Sequence, residues 1–147
     1  MEHLLKPPIE ALPYCWLVEF GALRCGVHQK NGWCVQNGDR IIICDSLETC
    51  MPLMPILEMD DQLFFDFLAE IKLSNPFYSE AIDSFPKAYL IRHVFEFAVS
   101  EYWPELALVW VSHDKALQSL LKPILKMFAQ KKSMPQSLRH KARRLAA

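Results

Sequence analysis

Glycine and cysteine are missing from most of this chain. The four glycines and the five cysteines all lie within the first 50 residues, and residues 51–147 contain neither. Glycine marks tight turns, so its absence favours regular helices joined by short links. We therefore predict an α+β fold, with a small N-terminal antiparallel β-meander over about residues 14–44 packed on a C-terminal helical bundle over about residues 59–146.

The length and composition are those of one globular unit. At 147 residues, 52% of them hydrophobic and 22% charged, the chain can bury a core without metal or disulfide support. We expect a single domain over residues 1–147. It divides into a β-rich part (1–50) and a helical part (51–147), which ends in a basic C-terminal segment (131–147).

Acidic residues are absent from the end of the chain. All 17 Asp and Glu lie in residues 1–114 together with seven of the 16 Lys and Arg, which makes that part formally −10. Residues 115–147 hold the other nine cations and are formally +9, although the whole chain carries only −1. A charge separation of this kind concerns partners and solubility rather than fold.

Long apolar runs and leader features are also absent. No apolar run approaches the roughly 18–20 residues that span a bilayer, and the one at residues 106–111 has the length of a buried core segment. The N-terminus lacks a cationic start followed by an apolar stretch and a small-residue cleavage site. These features predict a cytoplasmic protein without a transmembrane segment.

Sequence motifs of catalysis are missing as well. The chain has no G-x-x-x-x-G-K-[ST] or G-x-G-x-x-G loop, no G-x-S-x-G and no H-E-x-x-H. We therefore expect no enzymatic activity and no cofactor. One alternative stays open, cysteine–histidine catalysis, in which a cysteine would meet His28, His93 or His113 in the fold. We expect His93 to be an interior or rim histidine.

An odd number of cysteines without a secretory signal is poor material for a disulfide framework. Most of them have apolar neighbours, as in residues 14–17, and free cysteine is often a small buried hydrophobe, so we expect core packing. A zinc site would use Cys25, His28 and Cys34. Because structural zinc favours more closely spaced pairs, no metal is predicted.

Two Asn-Gly pairs predict the turns of the meander. Asn37-Gly38 stands between apolar flanks, which is the strongest short hairpin signature and predicts a type I′ turn. Asn31-Gly32 is expected to turn a strand at about 23–28 into the next one. Residues 14–20 would be the first of four strands, with a short helix around residues 9–20 as the alternative.

The apolar period becomes helical after the prolines that follow the meander. Asp60 is placed to cap a helix over about 61–73, which Asn75-Pro76 ends. Ser84 signals the start of a central helix, apolar around much of its girth. Pro104 is expected to end this helix and to open the next element.

The last third of the chain is also predicted to be helical. Residues 105–111 are apolar at nearly every position, which suits either a buried helix or a buried strand, and we predict a helix. Residues 115–128 carry an apolar stripe, with a kink expected at Pro123. Residues 133–136 have the spacing of a capping box, so a short helix is predicted over about 136–145.

Carboxylates concentrate around the first long helix. Between Asp45 and Asp83 the chain carries nine acids and one base. Asp66 and Glu70 are four residues apart on one helix face, where like charges repel by roughly a few tenths of a kcal/mol that a cationic partner would reverse. The alternative is a solvated face whose N-terminal acids complement the helix dipole. The predicted partner-binding face consists of Glu58, Asp61, Asp66 and Glu70.

The basic segment is a second candidate site. Four explanations are open: contact with the acidic body of the same chain or of a second subunit, nucleic-acid binding, an anionic membrane surface, or simple solvation. Nucleic acid is the weaker expectation, because the one aromatic of residues 115–147, Phe128, lies on the apolar stripe and cannot stack on bases. The residues concerned are Lys131, Lys132, Arg139, Lys141, Arg143 and Arg144.

Two function classes follow from these patches. The first is a non-enzymatic cytoplasmic module that covers a basic protein partner through its acidic face. It has the general character of toxin-neutralising immunity or inhibitor proteins, a comparison of class and not of motif. The alternative is a nucleic-acid-associated protein that binds phosphates through its basic segment. Either could be a homo-oligomer, with Tyr102 and Trp103 as candidates for a subunit contact.

Overall fold

The N-terminal part is an antiparallel sheet of five strands that pair in chain order. The structure is a computed structural model that describes residues 3–147, so Met1 and Glu2 lie outside the described residues. The predicted meander and the α+β class are confirmed. The strands are β1 (Leu4–Ala11), β2 (Tyr14–Phe20), β3 (Leu23–His28), β4 (Gly32–Asn37) and β5 (Arg40–Ile43).

Strand β1 lengthens the meander beyond the predicted start at residue 14, and the alternative helix around residues 9–20 is wrong. Two prolines, Pro7 and Pro8, hide β1 in the sequence because proline cannot donate a ladder hydrogen bond. An edge strand tolerates them, and β1 is an edge of the sheet. Its pairing with β2 also shifts register between Leu4 and Ile9.

The hairpin turns fall where glycine permits a positive φ. The β4–β5 hairpin is confirmed, but Asn37 pairs with Arg40, so the two turn residues are Gly38 and Asp39. Of these two turn residues, only Gly38, at φ 63°, has a positive φ. The predicted type I′ turn is therefore wrong, because one positive φ at the first central residue fits a type II′ turn. The β3–β4 turn also lies where predicted, next to Gly32 at φ 81°.

Seven α-helices follow the sheet. A 3₁₀ helix over Glu48–Glu58, which contains Pro52 and Pro55, connects the sheet to the first of them, where the sequence predicts only a break. A single 3₁₀ turn, Pro76–Tyr78, precedes the second. The helices are α1 (Asp61–Ser74), α2 (Ser79–Asp83), α3 (Lys87–Phe97), α4 (Tyr102–Ser112), α5 (Lys115–Leu120), α6 (Lys122–Ala129) and α7 (Gln136–Leu145).

Several helix predictions are confirmed. The Asp60 side chain caps α1 by accepting a hydrogen bond from the Leu63 N–H at 3.0 Å. Residues 105–111 lie in α4, so the ambiguous segment is helical. The amphipathic stretch breaks at Leu121, where α5 ends and α6 begins with Pro123 in its first turn.

Three helix boundaries differ from prediction. Ser84 does not cap α3, because its Oγ donates to the Ala81 carbonyl at the end of α2. The central helix ends at Phe97, before Pro104, although Pro104 does open the next element, since it lies in the first turn of α4. The residue before α7 is Pro135, without a side-chain cap, so the capping box from Ser133 is wrong although the helix itself is confirmed.

One buried cluster joins the sheet to the helices. Trp33 of β4 is 2% exposed and its Nε1 donates to the Ile82 carbonyl of α2 at 3.1 Å. The rings of Phe64 and Phe85 lie against the Trp33 ring. Residues from β1 to the end of α7 contribute to this cluster, which includes four of the cysteines. Over residues 3–147, no helix is both long and apolar enough to cross a membrane.

Candidate functional site

The four predicted acidic residues separate into two pairs. Glu58 and Asp61 face α4 and each meets a polar side chain of that helix or its C-terminus. The Tyr102 hydroxyl donates to Glu58 Oε2, and His113 Nδ1 lies 3.0 Å from Asp61 Oδ1. These two carboxylates therefore already make contacts within the chain, in addition to any contact with a partner.

The second pair, Asp66 and Glu70, lies on the exposed side of α1. Leu63 and Leu73 share this side, because residues three, four and seven apart on a helix lie on one face. Both leucines are exposed, Leu63 by 53% and Leu73 by 86%. We call Leu63, Asp66, Glu70 and Leu73 the acidic stripe.

The two carboxylates of the acidic stripe differ in their partners. Asp66 Oδ1 accepts a hydrogen bond from Gln62 Nε2 at 2.8 Å, one turn earlier. The Glu70 carboxylate makes no hydrogen bond or ion pair with any residue of the described chain. Glu70 is therefore available in full to a partner.

A cleft of about 370 Å³ separates the acidic stripe from strand β1. Leu4 and Lys6 line one wall, and Phe67, Asp66 and Glu70 line the other. The Lys6 ammonium lies 6.0 Å from the centre of the Phe67 ring, within the range of a cation–π contact. The acidic stripe thus borders one cation of its own chain.

The predicted basic segment is not a free tail. Leu138, Ala142 and Ala146 are buried, and α7 packs against α4 and α6. Lys131 Nζ donates to the Ala98 carbonyl at 2.9 Å. The Arg139 Nε is buried without a hydrogen-bond partner among the described residues. The exposed cations of the segment are Lys132, Lys141, Arg143 and Arg144.

The nine cations after residue 114 form no ion pair with a carboxylate in the described part of the chain. The ion pairs that are present join earlier lysines, arginines and His113 to acids, as in Lys72–Asp83 at 2.6 Å and Lys87–Asp114 at 2.5 Å. The explanation in which the basic segment folds onto its own acidic body therefore has no ion pair among residues 3–147 to support it. Its positive charge faces solvent or another molecule.

The cysteine–histidine alternative finds no geometric support. All five cysteines are buried and free, and burial raises the pKa of Cys15 and Cys50 to about 11 and of Cys25 and Cys34 to about 12. Such thiols stay protonated near neutral pH and are poor nucleophiles. The core packing predicted for the cysteines is confirmed.

The three candidate histidines, His28, His93 and His113, meet backbone groups or a carboxylate. His93 is buried, as predicted, and its Nδ1 lies 3.0 Å from the Leu47 carbonyl oxygen. His28 Nδ1 accepts from the backbone N–H groups of Lys30 and Asn31 at 3.1 Å. Among residues 3–147, no group of three or more His, Cys, Asp and Glu side chains is placed to hold a metal ion.

A third surface was not predicted from the sequence. After α3 ends at Phe97, the backbone carries Phe97 and Val99 outward, and they are 53% and 98% exposed. Two clefts of about 550 and 460 Å³ meet at Phe97. The sequence signal for this surface is the uncharged run 97–100, which follows a helical pattern. Composition alone does not distinguish such a run from a segment of the core.

Comparison of the chain with protein-family models, with curated proteins and with solved structures finds no match.

Proposed function

We propose that this protein is a non-enzymatic binding module that covers a basic partner protein with the acidic stripe of α1. In this proposal it acts in the cytoplasm, as a toxin-neutralising immunity or inhibitor protein would. The observation that carries the proposal is the composition of the acidic stripe. Two exposed leucines stand on the same helix face as two carboxylates, and Glu70 has no partner within the described chain.

Each part of the acidic stripe has a role in such a contact. The carboxylates attract a basic surface over a distance and fix its register, which raises the association rate. The leucines add apolar area that only a partner can remove from water, at about 25 cal/mol per Å². Acidic residues alone would also suit a solvated face, so the exposed leucines favour binding.

The acidic stripe is also rigid before binding. Asp60 caps the first turn of α1, and Phe64 and Phe67 are buried beneath the stripe. The Asn75 side chain at the other end of α1 donates to Glu10 of β1. A binding surface fixed in this way loses little conformational entropy on association.

The test is a comparison of two charge-reversed variants. Immobilised protein is exposed to a lysate of its own host, bound proteins are identified by mass spectrometry, and the affinity of the recombinant partner is measured by calorimetry. We expect a basic partner, and we expect Asp66→Lys/Glu70→Lys to weaken its binding at least about tenfold, or about 1.4 kcal/mol.

The matched control is Glu101→Lys/Glu105→Lys. These two exposed glutamates are also four residues apart, at the start of α4, so both double variants change the net charge equally. The control is expected to retain most of the affinity. A partner that binds the Asp66/Glu70 variant as tightly as the wild type would refute the acidic-stripe proposal.

A nucleic-acid role is the second candidate, and one observation favours it. The nine cations of residues 115–147 have no carboxylate partner in the described chain, and the exposed ones, among them Lys132, Arg143 and Arg144, are available to phosphates. Binding of this kind weakens steeply with salt because each phosphate contact releases a counterion.

A salt titration with a fluorescein-labelled DNA duplex tests this candidate. Arg143→Glu/Arg144→Glu should weaken binding and lower the slope of log K against log salt by about one for each phosphate that is no longer neutralised. Lys30→Glu/Arg40→Glu, in the β3–β4 turn and at the start of β5, is the control of equal charge change. Equal effects of the two variants would indicate non-specific attraction only and would remove this candidate.

A further inference from the structure

The surface around Phe97 is exposed and apolar, and the proposed function does not use it. Met51, Phe97, Val99 and Met127 are all more than half exposed there. Single exposed apolar residues are common, but a contiguous group of this kind marks an interaction site. We call the protruding pair Phe97 and Val99 the ridge.

The ridge stands between two depressions. The larger cleft, about 550 Å³, is lined by Met51, Met54, Trp103 and the ridge itself. The smaller cleft, about 460 Å³, lies on the other side of Phe97, against Ile124 and Met127 of α6. An apolar projection and an apolar cleft that could receive it therefore lie side by side.

We propose that a second copy of this chain covers this surface as a two-fold symmetric dimer. A two-fold axis places the same patch of both subunits in contact, so that the ridge of each copy enters the larger cleft of the other. A surface with a projection beside a matching cleft satisfies this condition with a single patch. Met51 and Met54 are flexible and adapt to an inserted ring.

The charges at the two sides of the surface agree with this arrangement. Glu48 lines the larger cleft, is exposed and has no partner in the described chain. Lys131 lines the smaller cleft, and its ammonium is bound only to the Ala98 carbonyl, which leaves its charge unneutralised. Glu96, also in the smaller cleft, is already paired with Arg92 at 3.3 Å. Two-fold rotation brings Glu48 of each copy toward Lys131 of the other.

The surface is also ordered before docking. The Lys131–Ala98 hydrogen bond fixes the backbone between Phe97 and Val99, and the His93 ring lies 4.9 Å from the Phe97 ring. Trp103, half-buried, forms part of the cleft wall. Of the two aromatic residues predicted for a subunit contact, Trp103 thus lines the larger cleft. The hydroxyl of its neighbour Tyr102 donates to Glu58 outside that cleft.

Sedimentation velocity over a concentration series tests the proposal with two matched variants. The wild type should shift from 17.1 kDa toward twice that mass as concentration rises. Val99→Glu should remain a monomer, and because Val99 is 98% exposed the change leaves the core intact. Leu12→Glu, in the turn between β1 and β2 and 75% exposed, should dimerise like the wild type.

A mixing experiment tests the symmetry. Glu48→Lys and Lys131→Glu should each weaken the dimer by placing like charges together. An equimolar mixture should form a heterodimer, because both Glu48–Lys131 contacts become opposite in charge again. Tryptophan emission of each variant, compared with wild type, checks that the cleft is unchanged.

Several experimental results would overturn the proposed dimer. A wild type that stays monomeric at every concentration overturns the dimer. A dimer that survives Val99→Glu, or that is abolished equally by Leu12→Glu, places the contact elsewhere and also overturns it. A mixture that does not form a heterodimer, with normal emission from both variants, refutes the two-fold pairing. None of these outcomes bears on the acidic stripe.

Discussion

All five cysteine thiols of this protein are buried and have raised pKa values. Burial raises the pKa of each above its ordinary value of 9.0, and for Cys15 and Cys50 carboxylates, Glu10 and Asp45 respectively, add to the effect. The folded state therefore binds protons that the unfolded state has already lost. The phenol of Tyr78, whose pKa is also raised by burial, acts in the same direction.

We predict that the protein loses stability in alkali. The free energy of unfolding should be level from pH 7 to about pH 8.5 and should fall above it, because burial keeps the folded thiols protonated where the unfolded thiols ionise, by up to about 1.4 kcal/mol per pH unit for each thiol. Urea titrations from pH 7 to 10 measure this. Cys34→Ala should reduce the slope, and a profile that stays level to pH 10 would contradict the prediction.

Helix caps indicate how far single residues can be predicted from sequence. Asp60 and Asp114 accept hydrogen bonds from Leu63 N–H and Leu117 N–H, both at 3.0 Å, as their positions predict. Ser84 and Ser133 have equally good cap chemistry but do not cap the following helix. A serine has other hydrogen-bond partners within reach, and only the path of the backbone decides among them.

At the scale of elements, the sheet contains one point of very close approach. The pairing of β2 with β3 shifts register between Trp16 and Val18, and Gly26 lies opposite this irregularity. A Cβ on Gly26 would lie 2.2 Å from the Cys15 carbonyl oxygen. The backbone of β2 therefore occupies the space that any other side chain would need.

We predict that Gly26→Ala costs about 3 kcal/mol or more, because backbone must move to accommodate the methyl group. Gly21→Ala is the control: it has open space around it, and its φ of 59° costs an alanine about 1–2 kcal/mol. Urea unfolding followed by tryptophan fluorescence measures both. Equal costs would show that β2 relaxes away from Gly26.

The elements with a clear period could be predicted, and those with prolines could not. Helix α1 has apolar residues at helical spacing between a cap and a proline, and its bounds agree with prediction to within one residue. Strand β1 and the 3₁₀ helix Glu48–Glu58 contain two prolines each. Proline excludes the regular alternatives without indicating which irregular one the core stabilises.

At the scale of the whole molecule, the sequence predicts the two charged regions but not their relation. The cluster of carboxylates and the cluster of cations could neutralise each other within one chain by composition alone. Among residues 3–147 the two clusters form no ion pair, because Leu138 and Ala142 anchor α7 to α4 and α6 while three of its four cations are exposed to water. Anchoring of this kind depends on long-range packing, which no local pattern contains.

The exposure of Phe97 is another feature that no local sequence pattern contains. The sequence pattern makes Phe97 part of a helix that continues toward Pro104, and such a helix would bury it. Instead α3 ends at Phe97 and the chain turns before α4. Where a helix ends decides which of its last residues face water.

The unneutralised charge of α6 and α7 has a consequence for the protein as a solute. With a formal net charge of −1, neighbouring molecules repel one another only weakly. Opposite poles of two molecules attract, and at an ionic strength of 0.1 M that attraction is screened beyond about 10 Å. The protein should therefore be least soluble in dilute buffer and dissolve more readily as salt is added, which is the salting-in behaviour of a dipolar ion.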